Sequence, residues 1–231
     1  MYNICMINDV YLLIPVYNEE LKLKKVINSL KPHFKNIVVV NDGSTDSTQD
    51  IIDNLEVINI KHLLNLGQGA AISTGINFIK DEAEAKALVT FDADGQHSVD
   101  DALNFANEII SCEEDVIFGS RFIKHKENIP AFKRFILKFV TIVTNRLTKM
   151  KLTDSHNGLK AFKSSCLEKI VIDIDGFAFE SQIINLVSKS NLKYKEMPTN
   201  TIYTEYSMKK GQKLRNGLII LEDLFKSTKS K

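Results

Sequence analysis

Five short apolar runs limit what this chain can fold into: residues 10–16 (VYLLIPV), 36–40 (NIVVV), 57–64 (VINIKHLL), 87–91 (ALVTF) and 115–119 (DVIFG). They are rich in β-branched and aromatic residues, and most lack the polar alternation of a half-solvated strand, so they read as strands buried on both faces. Helical spacing appears between them, in Leu21, Leu23, Val26, Ile27 and Leu30 of a helix over 19–30, then at Ile51 and Ile52, at Ile76 and Phe78, and over 99–110. Strands alternating with helices, with no internal repeat or low-complexity linker, predict an α/β chain with a doubly wound, mostly parallel sheet flanked by helices. Such sheets hold their ligands in the crevice outside the carboxyl ends of the strands.

The strand ends carry chemistry. The run at 87–91 stops at Asp92-Ala93-Asp94-Gly95-Gln96-His97, which delivers two carboxylates to a turn. Two acids so close repel, and apolar surroundings make that worse; a divalent cation bridging to a phosphate would relieve the conflict. Taken alone, the same residues also describe a solvated turn. Asp42 follows the second strand and Arg121 the fifth, so four charged side chains converge on one edge of the sheet. The loop Asn65-Leu66-Gly67-Gln68-Gly69 opens a helix whose free N–H groups suit an anion, but Ile72 stands where a dinucleotide fingerprint needs glycine.

Composition narrows the setting. At 231 residues, 44% hydrophobic, the chain is long enough for one large α/β domain, and its net charge of +1 gives no signature of a nucleic-acid binder. Cys5, Cys112 and Cys166 are far apart and in no metal-ligand spacing, which points to free thiols in a reducing compartment. No basic leader with an apolar core opens the chain, and no window reaches the roughly 18 uncharged apolar residues of a membrane span, so a cytoplasmic location is expected.

Beyond residue 129 the character changes. Residues 131–153 contain no acid, and Lys133, Arg134, Lys138, Arg146, Lys149 and Lys151 punctuate Phe132, Phe135, Ile136, Phe139, Val143 and Leu147, the pattern of an amphipathic basic helix. It suits a core-packed helix with a solvated basic face, and equally contact with an anionic membrane surface or a lipid-linked phosphate. A polar loop, 154–160, carries His156. Residues 176–180 start another helix, where Glu180 fits a first-turn acid. Residues 194–197 read as a strand, 203–212 as a polar segment, and Leu214, Leu218, Leu221 and Phe225 as a closing amphipathic helix that docks on the core, dimerises or lies on a membrane.

Together, Pro15-Val16-Tyr17-Asn18-Glu19, 40–46 (VNDGSTD), Asn65 to Gly69 and 92–97 (DADGQH) resemble the family 2 inverting glycosyltransferases with the GT-A fold. Residues 119–122 (GSRF), 154–159, 176–180 and 206–212 are similar to the polyprenyl-phosphate sugar transferase branch. The resemblance implies one glycosyltransferase domain over 1–231, with about 1–122 binding the nucleotide sugar and about 123–231, with its basic amphipathic helices, binding the acceptor. It implies that Pro15, Tyr17, Glu19, Asp42, Gly67, Gln68, Asp92 and Ala93 bind the nucleotide, and that Asp92, Asp94 and Gln96 hold Mg²⁺ or Mn²⁺. Asp94, Arg121 and Glu180 would serve catalysis, and Arg134, Tyr206, Ser207 and Lys209 the acceptor or its phosphate.

The implied reaction moves a sugar from a nucleotide sugar, UDP-linked by preference with GDP-mannose as the other option, to polyprenyl phosphate or a lipid-linked or cell-surface glycan. Peripheral contact with the inner face of the membrane and a homo-oligomer fit the same picture. An anionic acceptor needs positioning by Arg or Lys more than a base, whereas a sugar hydroxyl needs a carboxylate, and Glu180 is the candidate. Two departures stand out: Gln68 replaces a basic residue, and Gln182 a second acid, of many relatives. A sugar nucleotidyltransferase also places metal-binding acids on an α/β sheet, but calls for a Gly-rich basic loop where Pro15 to Glu19 stand. A non-catalytic nucleotide-sugar binder on the same fold would not need Asp42, Asp92 and Asp94 intact.

Overall fold

The computed structural model describes residues 6–124, 131–173 and 179–200, with no account of the side chains of 131–133. Seven strands form one sheet in the order β3-β2-β1-β4-β6-β5-β7: β1 (Ile7–Val16), β2 (Phe34–Asn41), β3 (Ile58–Lys61), β4 (Ala87–Thr90), β5 (Val116–Ser120), β6 (Lys160–Lys163) and β7 (Tyr194–Pro198). Every pairing is parallel except those of β6, which runs antiparallel between β4 and β5. The six expected strands are present, the run at 194–197 as β7. The 57–64 run pairs only over Ile58–Lys61, and Leu63 and Leu64 beyond it stand 94% and 72% exposed.

The helices are α1 (Leu23–Leu30), α2 (Thr48–Asp53), α3 (Gln68–Lys80), α4 (Val99–Ser111), α5 (Ala131–Thr148) and α6 (Phe179–Lys189). Strand side chains alternate between two cores. Leu13, Val38, Leu88 and Phe162 face α3 and α6, with Ile72, Ile76, Ile183 and Ile184. Leu12, Val39, Val89 and Ala161 face α1 and α4, with Leu23, Ile27, Phe105 and Ile109. Covering both faces leaves only the strand ends open to a ligand.

Two helix bounds are tighter than the spacing predicts. Residues 19–22 form a turn in which Glu19 O accepts from both Lys22 N and Leu23 N, so α1 begins at Leu23. α5 stops at Thr148 because Lys149 turns left-handed (φ 59). The side chain of Asn145 then holds Leu152 at both its N–H and its carbonyl, at 3.0 and 2.7 Å.

Candidate active site

The carboxyl ends of β1, β2, β4 and β5 bring their polar residues together. Asp42, just past β2, is 3% exposed and accepts from Leu66 N–H (2.9 Å), Gly67 N–H (2.8 Å) and His62 Nδ1 (2.8 Å). His62 Nε2 in turn meets Thr74 Oγ1 on α3 at 2.9 Å. The acid therefore ties the loop after β3 to the end of β2 and fixes the mouth of the α3 N-terminus. The first-strand loop is anchored to the same region: Glu19 N–H donates to Thr48 Oγ1, and Asn18 N–H to Ser44 Oγ. Tyr17 stands 42% exposed at its rim, with Pro15 half-buried at the end of β1.

Asp92 and Asp94 lie just past β4, with Ala93 buried between them. Asp92 faces His97 Nε2 at 3.2 Å and accepts from Gln68 Nε2 at 3.3 Å. Burial alone would raise its carboxyl, but the His97 hydrogen bond and the charges of His97, Lys160 and Arg121 bring it below the ordinary carboxylate value. Asp94 moves the other way: burial first, and the neighbouring Asp92 charge second, push it up, although Gln96 N–H donates to it at 2.9 Å and the Gln96 amide lies against it. One acid is held ionised beside a second that resists ionisation.

Among the described residues no three His, Cys, Asp or Glu side chains gather as a metal centre. The donor set nevertheless suits a hard cation: two carboxylates and the Gln96 amide offer oxygens only, and Mg²⁺ or Mn²⁺ bound by few protein ligands takes the remainder from water and substrate phosphate.

The second wall is the loop 154–159. Asp154 is buried and grips the Arg121 guanidinium at 2.6 and 2.8 Å. Arg121 also reaches the His156 carbonyl. Despite burial, the Arg121 charge holds the Asp154 carboxyl below its ordinary value. Glu196 on β7 supports this loop by accepting from Thr153 N–H and Asp154 N–H, at 2.8 and 3.2 Å. Gly158 packs so tightly on Asp92 that a Cβ there would lie 2.0 Å from Oδ2. Beneath it Lys160, 2% exposed, pairs with Glu180 and donates to Asn157 O at 2.5 Å. Burial raises the Glu180 carboxyl and the Lys160 charge opposes that. Burial also holds His156 down to about 4, with Lys160 and Arg121 adding to the shift against Asp154.

The sequence matches a known family. The sequence model for glycosyl transferase family 2 matches residues 11–171. The chain belongs to that family. It is 37% identical over 233 residues to the UDP-N-acetylglucosamine--dolichyl-phosphate N-acetylglucosaminyltransferase of Methanococcus voltae, covering 91% of this chain and 92% of the relative. It is 26% identical to the polyprenol monophosphomannose synthase of Mycolicibacterium smegmatis, over 93% of this chain and 83% of that one. Glucosyl-3-phosphoglycerate synthase of Mycobacterium tuberculosis, solved with Mn²⁺, UDP and phosphoglyceric acid, superposes with a TM-score of 0.68 at 12% identity, covering 94% of this chain and 77% of that one, and shares the GT-A fold.

The structure thus gathers Asp42, Gly67, Gln68, Asp92, Asp94, Gln96, Arg121 and Glu180 at one edge of the sheet. Arg134 lies near the start of α5, while Tyr206, Ser207 and Lys209 lie outside the described residues. Two residues of this candidate site carry no mark in the sequence: His62 and Lys160 are partners of the acids, whereas His97 closes the 92–97 motif without its pairing with Asp92 being legible there. Glu180 and Lys160 are twenty positions apart, and only the antiparallel insertion of β6 makes them neighbours.

Proposed function

We propose that the chain transfers a sugar from a UDP-linked donor to the phosphate of a polyprenyl phosphate at a membrane surface, with Mg²⁺ or Mn²⁺. The observation that carries this reading is that, among the described residues, the five carboxylates at the centre of the site are each engaged: Asp42 by backbone N–H groups and His62, Asp92 by His97, Asp94 by Gln96, Asp154 by Arg121 and Glu180 by Lys160. A hydroxyl acceptor needs one of them as a base; a phosphate acceptor is already anionic and needs none. The names of the Methanococcus and Mycolicibacterium relatives support a lipid phosphate, and the former supports uridine.

Asp92, Asp94 and Gln96 would hold the cation, which supplies positive charge to the diphosphate as it leaves. Asp42 and the first-strand loop fix the nucleoside, in the half built from about 1–122. Glu180 serves as the counter-charge of buried Lys160, and the acceptor half supplies basic residues to the lipid phosphate.

The membrane contact rests on α5. Phe135, Phe139 and Ile142 lie along one face of the helix and are 69%, 47% and 57% exposed, with Lys138 and Arg146 on its flanks. Charge favours an anionic lipid surface over the chain's own end, because residues 201–231 carry seven Lys and Arg against three Asp and Glu. Among the described residues no helix is long and apolar enough to cross a membrane.

The test is a panel of UDP- and GDP-sugars assayed for Mg²⁺- or Mn²⁺-dependent transfer onto polyprenyl phosphate, in wild type and Asp94→Ala. Transfer from a UDP-sugar that disappears with chelator and in the variant is expected. Transfer that survives both would refute the metal role, and transfer only to a free glycan would refute the acceptor.

A further inference from the structure

His156 takes no part through its ring in the charge pairs that build the site, and its protons can be counted. Thr141 donates its single hydroxyl hydrogen to Leu137 O at 2.8 Å. The 3.0 Å contact between Thr141 Oγ1 and Ser155 Oγ therefore uses the Ser155 hydrogen. Ser155 has no second hydrogen to give, so at the 3.0 Å contact of its Oγ with His156 Nδ1 the imidazole is the donor. The ring is neutral at physiological pH, its value held down to about 4 by burial. The proton is thus on Nδ1, and Nε2 presents a lone pair.

That Nε2 is enclosed and has no hydrogen-bond partner. A buried acceptor with no donor is a cost that native structures rarely carry without a function. The main chain that carries the ring belongs to the site: Arg121 holds the His156 carbonyl, and Gly158, two residues on, packs against Asp92. The chemistry of the missing partner is defined by the lone pair. An ionised phosphate has no hydrogen to offer and would be repelled, whereas a sugar hydroxyl or an acetamido N–H would complete the bond.

We propose that His156 accepts a hydrogen bond through Nε2 from a hydroxyl or amide N–H of the sugar being transferred, and so contributes to donor-sugar selection. This rests on the glycosyltransferase reading with a UDP-sugar donor. It separates the two faces of the loop 154–159: the Asp154 side holds the Arg121 cation, and the His156 ring reads the uncharged sugar.

The experiment compares wild type, His156→Phe and His156→Gln, measuring affinity for UDP by calorimetry and kcat/KM for UDP-glucose and UDP-N-acetylglucosamine with polyprenyl phosphate. His156→Phe should leave UDP affinity within twofold of wild type and lower kcat/KM for the preferred UDP-sugar about 5- to 10-fold. His156→Gln, whose amide oxygen can take the place of Nε2, should recover most of that loss. If His156→Phe fails to fold, His156→Asn, which can replace Nδ1–H but does not reach as far as Nε2, should show the same selective loss. An equal loss of UDP affinity, or no loss on the sugar nucleotide, would overturn the assignment. Wild-type protein that uses no UDP-sugar would overturn the functional reading and this contact with it, whereas wild-type transfer matched by His156→Phe would overturn the contact alone.

Discussion

Gly158→Ala tests the site at its tightest point. The added Cβ would stand 2.0 Å from Asp92 Oδ2, 2.6 Å from Cγ and 2.8 Å from Oδ1. The loop has little freedom to yield, because Gly158 O accepts from Thr90 Oγ1 at 2.6 Å and Lys160 N–H donates to the same hydroxyl at 3.1 Å. The Asp92 carboxylate is the movable part, and it must retreat by about 1 Å, a misplacement that costs on the order of 100-fold in rate when the group serves the reaction. Retreat breaks the contacts to His97 and Gln68, both already longer than 3 Å. The fold should lose about 1 kcal/mol from the overpacking, or a few degrees in Tm for a chain of this size. The assay is kcat/KM for sugar transfer at saturating metal, with thermal unfolding alongside. In an Asp92→Ala background the same glycine substitution should have almost no further effect, since the atoms it displaces are gone. Activity within threefold of wild type, or an undiminished effect in the Asp92→Ala background, would refute the claim that this glycine exists to seat the carboxylate.

Three further outcomes follow from the same geometry. His156 falls from 6.5 in the unfolded chain to about 4 in the fold. The unfolded chain therefore binds that proton first, and stability is lost as pH falls from 6.5 towards 4, by up to roughly 3 kcal/mol. Asp94, Glu180 and Glu196, all raised by burial, slope the opposite way, so the difference between wild type and His156→Gln in urea unfolding isolates the histidine. A difference that does not vary with pH would rule this out. Glu180→Gln leaves Lys160 buried without its counter-charge and should cost about 3 kcal/mol of stability, while the folded variant keeps transfer to polyprenyl phosphate within tenfold of wild type; a loss of several orders of magnitude would make Glu180 the base. Phe135→Glu with Phe139→Glu should abolish sedimentation with phosphatidylglycerol vesicles without lowering Tm, because both rings are exposed; unchanged vesicle binding would move the membrane contact elsewhere.

How much of this is legible in the sequence depends on whether the cause is local. β1, β2, β4 and β5 can be read because burial on both faces imposes a run of apolar residues, and the acids that end them inherit that visibility. β6 cannot: Lys160–Lys163 is four residues with a lysine at each end, made a strand by β4 and β5 on either side. The apolar run after β3 misleads for the converse reason, since Leu63, Leu64 and Leu66 continue its composition but stand exposed in the loop that Asp42 holds. The site divides along the same line. Asp42, Asp92, Asp94 and Arg121 lie at strand ends, whereas His62, Asp154 and Lys160 matter through contacts across 20, 33 and 20 positions, which no spacing rule encodes.

The charge count at the site explains why its two sides need different partners. Among the buried groups at the centre, Asp154 is matched by Arg121 and Glu180 by Lys160, while His156 is neutral. What remains is the aspartate pair past β4, which shares His97 and in which Asp94 is pushed up beside an ionised Asp92. A divalent cation there would restore balance, but the phosphates of a nucleotide sugar would then add negative charge that Arg121 and Lys160, already committed, are poorly placed to meet. An acceptor phosphate would deepen the deficit. We propose that the compensating charge comes from outside this centre, from the acid-free stretch 131–153 that begins ten residues past Arg121 and runs up to Asp154. Neutralising that stretch should therefore weaken use of a phosphate acceptor more than binding of UDP, a separation that a hydroxyl acceptor would not produce.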